Sequence, residues 1–330
     1  MTTHPLEHGP AIAVTGLRKR YGAHTAVDGI DLRVDHGETV AVLGPNGAGK
    51  TTTVEILEGF RRADSGSVRV LGTDPAQADR AWRSRIGVVL QDSHDQAELT
   101  VREMLRHVAG YYPSPRDPDE VIEAVGLGAK AGARTSALSG GQRRRLDVAL
   151  GIVGSPELLF LDEPTTGFDP EARRSFWELI RSLSHDGTTV LLTTHYLDEA
   201  AALADRVVVV AAGRVAAEGT PDGLGGPEAR RPVVHWTQDG VPRSERTARP
   251  TALVSALAAR LAPEDGEIPG LRVDTPTLED VYLALVSSAG PTAEDQVPAP
   301  RDDHSASPGL PRVPTGGTTT STATTTETAR

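Results

Sequence analysis

The chain has 330 residues, a net charge of −11 and no cysteine. The missing cysteine excludes disulfides, thiolate metal sites and cysteine nucleophiles. The acidic balance argues against an electrostatic nucleic-acid binder, which carries a basic face. The ten histidines are scattered without metal-ligand spacing. The longest purely apolar run, Val207–Ala212, is far short of the ~20 residues that span a bilayer, and Met1–Pro10 lacks the basic-then-apolar order of a secretory signal. The expectation is a soluble chain in the cytoplasm.

In chain order, Ala11–Thr15 reads as a short strand, followed by a basic turn from Arg18 to Gly22. In Ile30–Val34, apolar Ile30, Leu32 and Val34 alternate with Asp31 and Arg33, the period of a half-buried strand. Tyr21 then lies on the connection between two strands, free either to stack on a nucleobase or to pack in a core. Thr39–Leu43 is an apolar run, Gly44, Pro45, Asn46, Gly47, Ala48, Gly49, Lys50, Thr51 and Thr52 follow it, and no glycine or proline interrupts Thr52–Glu58. That order of strand, glycine-rich turn and helix is the context a phosphate-binding loop requires. Its glycines let successive N–H groups point inward at phosphate oxygens, and the helix start adds partial positive charge. Lys50 can reach the β- and γ-phosphates, and the Thr51 hydroxyl can take one position on Mg²⁺. The stretch binds a nucleoside triphosphate.

Ser67–Leu71 is a further strand, and Ile86–Leu90 is an apolar run that stops at Gln91, whose amide can face a ligand at the sheet's end. From Thr100 to Gly126 the spacing turns helical, with Val101, Met104, Leu105 and Val108 on one face and prolines at 113, 115 and 118 breaking it. This reads as a helical subdomain inserted in an α/β core. Leu138, Ser139, Gly140, Gly141 and Gln142 open the next helix, with Ser139 as its N-cap and two glycines suited to phosphate contact. The run Arg143 to Arg145 reads as a solvated helix face. Leu158–Leu161 is a buried-strand pattern ending in Asp162 and Glu163. Asp162 can hold Mg²⁺ directly or through water, and Glu163 can polarise an attacking water. Thr188–Thr194 is another strand, and it ends at His195, which is placed either to meet a γ-phosphate or to sit satisfied in a core. Val207–Ala211 is a further strand before a turn at Gly213 and Arg214.

Beyond about Gly225, proline and charge dominate up to Pro250, with a strand at Val233–Trp236. A helix over Thr251–Leu261 and a strand over Leu271–Asp274 follow. Thr277 to Asp280 looks like a capping box, leading a helix whose Leu278, Val281, Tyr282 and Leu285 share one face. After Ser287 the chain is rich in Pro, Thr and Ser, a composition that predicts disorder.

With the phosphate loop, Leu138–Gln142 and Leu158–Glu163 present in that order, the chain resembles the nucleotide-binding subunit of ABC transporters over roughly residues 11–220. The Ser-Gly-Gly-Gln element is that family's signature. The resemblance implies a P-loop NTPase core of α/β class, with an antiparallel β subdomain and an inserted helical subdomain. To these it adds a small α+β C-terminal appendage and a disordered tail. The divisions expected are a flexible 1–10, an ATP-binding domain over 11–225 with its helical part at about 92–155, an appendage over 226–287 and a tail over 288–330. Residue by residue, Tyr21 matches the adenine-stacking aromatic, Gly44–Thr51 the Walker A loop and Gln91 the Q-loop glutamine, which contacts Mg²⁺. Asp162 and Glu163 match the Walker B aspartate and catalytic glutamate, Asp169 the D-loop aspartate and His195 the switch histidine. Phe168 departs from the family's usual leucine.

The resemblance further implies ATP and Mg²⁺ as ligands and a homodimer in which Ser139–Gln142 of one copy closes the ATP of the other. A separately encoded membrane permease is the expected partner, with the chain peripheral on the inner face of the cell membrane and no nucleic acid involved. Leu271–Val286 and the run from Glu163 to Pro170 look like ATPases of daunorubicin-resistance-type drug and antibiotic exporters. Two other classes are separable. A soluble ABC ATPase of translation or DNA repair usually carries two cassettes or a long coiled coil, and a non-hydrolysing regulator would lack Glu163 or His195.

Overall fold

Central strands of almost unbroken valine and leucine form a sheet covered on both faces. The computed structural model describes residues 9–89, 98–261 and 267–288. The chain begins with β1 (Ile12–Tyr21), β2 (His24–Val34) and β3 (Thr39–Leu43), then α1 (Lys50–Leu57) and β4 (Ser65–Val70). Strands β2, β1 and β4 form an antiparallel sheet in that order. After the short α2 (Arg80–Arg83) and β5 (Ile86–Val89) come three helices, α3 (Val101–Ala109), α4 (Pro118–Ala124) and α5 (Gly140–Ile152). An alternating βα path follows through β6 (Leu158–Asp162), α6 (Pro170–His185), β7 (Thr189–Thr193), α7 (Leu197–Leu203) and β8 (Arg206–Ala211), closed by β9 (Arg214–Gly219).

The main sheet has the order β5-β6-β7-β3-β8-β9, parallel except for β9. Because side chains alternate along a strand, Val40, Val42, Leu158, Phe160, Leu191 and Val208 share one core with α1 and the antiparallel sheet. Ala41, Leu43, Leu159, Leu161, Leu192 and Val209 face a second core with the helices. Strands β6, β7 and β3 are adjacent and parallel, so residues just past their C-terminal ends gather along one edge, where α/β sheets bind ligands.

The C-terminal part contains α8 (Gly226–Ala229), β10 (Val233–Gln238), β11 (Val241–Arg246), α9 (Pro250–Leu261), β12 (Arg272–Asp274) and α10 (Leu278–Ser288). Its sheet, β11-β10-β12, packs Val234 and Trp236 with Leu257 of α9 in a small core of its own. Helix α10 departs from this arrangement. Its Val281 is buried in the cassette's helical core, with Leu278, Tyr282 and Leu285 packed against it. The capping box at its start is present, with the Asp280 backbone N–H donating to the Thr277 hydroxyl at 3.2 Å and the Thr277 N–H donating to the Asp280 carboxylate at 2.8 Å.

Three expectations change. The basic segment after Thr15 is strand, because β1 continues to Tyr21 and is paired on both sides as far as Arg18. The residues after Gly213 form β9 on the sheet's edge, where alternate exposure hides the apolar run that marks a buried strand. Strand β11 is exposed along its whole length and leaves no apolar period to read.

Candidate nucleotide-binding and hydrolysis site

The site begins where β3 ends. Gly44 lies so close to Val210 that a Cβ there would collide with its carbonyl oxygen, and Gly49, at φ +99°, would collide likewise with the Ala26 carbonyl. The glycines are therefore needed both for backbone conformation and for close packing against β2 and β8. Lys50 is 8% exposed, and its Nζ donates to the carbonyl oxygens of Gly44 at 2.8 Å and Pro45 at 2.9 Å. The ammonium is thus held beneath its own loop. Helix α1 starts with no side-chain cap and no acid in its first turn. Its positive end is not neutralised from within the helix and suits an anion.

Above the loop lies a cavity of about 750 Å³. Of the residues expected at the site, Tyr21, Asn46 through Thr52, Asp162, Glu163 and His195 line it, joined by His24 and Ala26, which the sequence did not single out. Tyr21 is 40% exposed, with Lys19 Nζ and the Arg61 guanidinium each 5.6 Å from its ring centre. Its position at the cavity mouth answers the core-packing alternative.

The opposite wall comes from β6 and β7. Asp162 accepts a hydrogen bond from the Thr193 hydroxyl. Glu163 turns out of the strand at φ 45°, a left-handed conformation uncommon outside glycine. Its N–H donates to the Thr193 carbonyl at 3.0 Å. Its carboxylate Oε1 lies 3.1 Å from His195 Nδ1, and its Oε2 accepts from the Thr166 hydroxyl at 3.4 Å. His195 is exposed, so the core alternative is excluded for it as well.

Two contributors were not foreseen. Arg144 is 7% exposed and donates to the carbonyl of Asp162, to that of Glu163 at 3.2 Å and to that of Pro164 at 3.1 Å. The expected solvated arginine run is corrected at this position. Arg144 shares a face of α5 with buried Val148, Gly151 and Ile152, a spacing of four, seven and eight residues that places it inward. Glu58, half-buried at the end of α1, is raised from an ordinary 4.5 to about 8, chiefly by burial and then by the carboxylates of Asp162 and Glu55.

Other expected residues stand apart. Ser139 and Gln142 cap α5 reciprocally, with Gln142 N–H donating to Ser139 Oγ at 3.3 Å and Ser139 N–H to Gln142 Oε1 at 3.1 Å. A Cβ added at Gly140 or Gly141 would meet nothing within 4 Å. None of these four residues lines the cavity. Asp169 caps α6 by accepting from Ala172 N–H at 2.8 Å. Gln91 lies outside the described residues, as do Leu90 and the tail from residue 289.

Among the described residues no helix is long and apolar enough to cross a membrane. A family model described as "ABC transporter" matches residues 27–166. The chain is 48% identical to "Daunorubicin resistance ATP-binding protein DrrA3" of Streptomyces coeruleorubidus, over 65% of this chain and 69% of that protein. It is 41% identical to "Nod factor export ATP-binding protein I" of Ralstonia nicotianae, over 84% of this chain and 94% of that one. The fold matches "Structure of ATP binding subunit of ABC transporter" with a TM-score of 0.60 and 28% identity, covering 64% of this chain and 90% of the other. With a relative matched at 41% identity along 94% of its length, the chain belongs to the ABC transporter family as an ATP-binding, ATP-hydrolysing subunit.

Proposed function

We propose that the chain drives export of a drug, antibiotic or lipid-like compound through a separately encoded membrane permease, from the cytoplasmic face of the membrane. The observation that carries the hydrolytic part is the pairing of Glu163 and His195 at 3.1 Å across the cavity from the phosphate loop. Tyr21 stacks on the adenine, and the N–H groups from Asn46 to Thr52, with Lys50, hold the phosphates. Glu163 takes a proton from the attacking water, and His195 fixes the Glu163 carboxylate and meets the γ-phosphate.

The Thr51 hydroxyl on the loop side and the Asp162 carboxylate on the facing wall are hard oxygen donors that line the same cavity and suit Mg²⁺, and Gln91 is proposed as a third donor. When bound, the ion neutralises charge on the phosphate oxygens. The open glycines at Gly140 and Gly141, with Ser139, Gln142 and Asp169, are left to meet the ATP of a second copy, so the working form is a homodimer. The chain divides into the ATP-binding domain over 11–225, the appendage over 226–287 and the tail beyond. Export of an organic compound is supported by the relatives, one named for daunorubicin resistance and one for Nod factor export; neither is a translation or repair factor.

The test is steady-state ATPase activity of the purified chain, alone and with its genomically adjacent membrane protein in lipid. Stimulation by that protein is expected, with Glu163→Gln binding ATP but turning over about 10²–10⁴-fold more slowly. Turnover that ignores the membrane protein and responds to ribosomes or DNA would overturn the proposal.

A further inference from the structure

Glu199 on α7 is a carboxylate with 0% exposure. Burying it is costly, and an apolar residue of similar size would pack there without that penalty. Its surroundings come from both loops that carry the hydrolytic pair. The indole N–H of Trp177, on α6, donates to Oε1 at 3.4 Å. Burial pushes the Glu199 carboxyl up, and the hydroxyls of Thr194 and Thr165, the Trp177 indole and the Arg173 guanidinium counter that rise. Thr194 directly precedes His195 and is 0% exposed, and Tyr196 N–H donates to its hydroxyl at 3.0 Å. Thr165 lies two residues past Glu163 and four before Asp169, and is also 0% exposed. Arg173 stacks over the Tyr196 ring at 4.6 Å, a second tie between α6 and the His195 segment.

One connection is incomplete. Glu199 Oε2 and Thr165 Oγ1 are both buried without a hydrogen-bond partner.

We propose that Glu199 is a positioning residue for ATP hydrolysis, a buried bracket that fixes the segment from Glu163 to Asp169 against the segment that carries His195. The inference rests on the hydrolytic roles given above to Glu163 and His195. It separates Glu199 from nucleotide binding, because the phosphate loop and Tyr21 lie on other elements.

The experiment compares Glu199→Leu and Glu199→Gln with the parent in ATPase kinetics on the full chain. Glu199→Leu is expected to lower kcat about 10–100-fold, the scale of a misplaced reacting group, with KM for ATP within about twofold. Glu199→Gln keeps the shape and the acceptor for Trp177, and is expected to recover most of the loss. A folded Glu199→Leu with the parent's kcat overturns the proposal. So does a Leu variant whose KM worsens as much as its kcat, or a Gln variant no better than Leu. Should Glu199→Leu fail to fold, Trp177→Phe and Thr165→Val each remove one donor, and each is expected to lower kcat several-fold at unchanged KM; parent-like kcat in both overturns the proposal. A parent without turnover would refute the hydrolytic reading itself and this inference with it, whereas a parent matched by Glu199→Leu refutes this inference alone.

Discussion

Glu58 shows how a single side chain at the far end of α1 sets a pH dependence. Its carboxyl is raised from 4.5 to about 8 by burial and by the neighbouring carboxylates of Asp162 and Glu55. Between those two values the folded chain keeps a proton that the unfolded chain has released, so stability falls as pH rises through that window. Glu58→Gln is expected to flatten the slope, leaving stability near pH 4.5 little changed and raising it at pH 8; urea unfolding at several pH values reads this directly. An unchanged slope would show that Glu58 ionises normally. At this scale the sequence foretold a shared location wherever a residue type is bound to a motif, as for Lys50, Asp162 and His195, which line one cavity. It was silent on Glu58 and misleading on Arg144. The inward turn of Arg144 follows from the helix face it shares with Val148 and Ile152, but the carbonyls it holds belong to a segment some twenty residues further on. No local pattern records that partnership.

At the scale of elements, the apolar runs of β3, β6, β7 and β8 were readable because parallel strands buried on both faces need continuous valine and leucine. Exposed edge strands carry no such demand, and β9 and β11 went unread. Helix α10 was expected from its capping box and apolar face, but the face alone does not name its partner. In the structure that partner is the cassette, beside α7, β8 and β9. Val281 is 2% exposed there. Val281→Ala is therefore expected to cost about 1–3 kcal/mol of cassette stability, measured as a lower denaturation midpoint for the nucleotide-binding unit. A loss confined to the small sheet around Trp236, with the cassette midpoint unmoved, would contradict this packing.

For the whole molecule, the arrangement leaves the start of the signature helix outside the cavity above the phosphate loop. Ser139–Gln142 and Asp169 cap helices, and none of them lines the cavity above the phosphate loop. The second copy proposed to complete their chemistry is suggested in the sequence only through its family likeness. Light scattering on Glu163→Gln is expected to report a dimer with ATP and a monomer with ADP, because the slowed variant retains the γ-phosphate that bridges two copies. A monomer at saturating ATP would leave those residues without the role given them. The helical part between residues 98 and 155 joins the same core as α6 and α7, and close-packed interiors of this kind transmit strain.

The left-handed backbone at Glu163 has an evolutionary consequence. The residue sits at φ 45°, a conformation that costs other side chains on the order of 1 kcal/mol and glycine nothing. The position proposed to activate the attacking water is therefore one where the most comfortable residue is inert. A laboratory lineage selected for heat resistance alone would be drawn toward glycine there and would drift into a well-folded protein that binds its nucleotide and never releases it by chemistry.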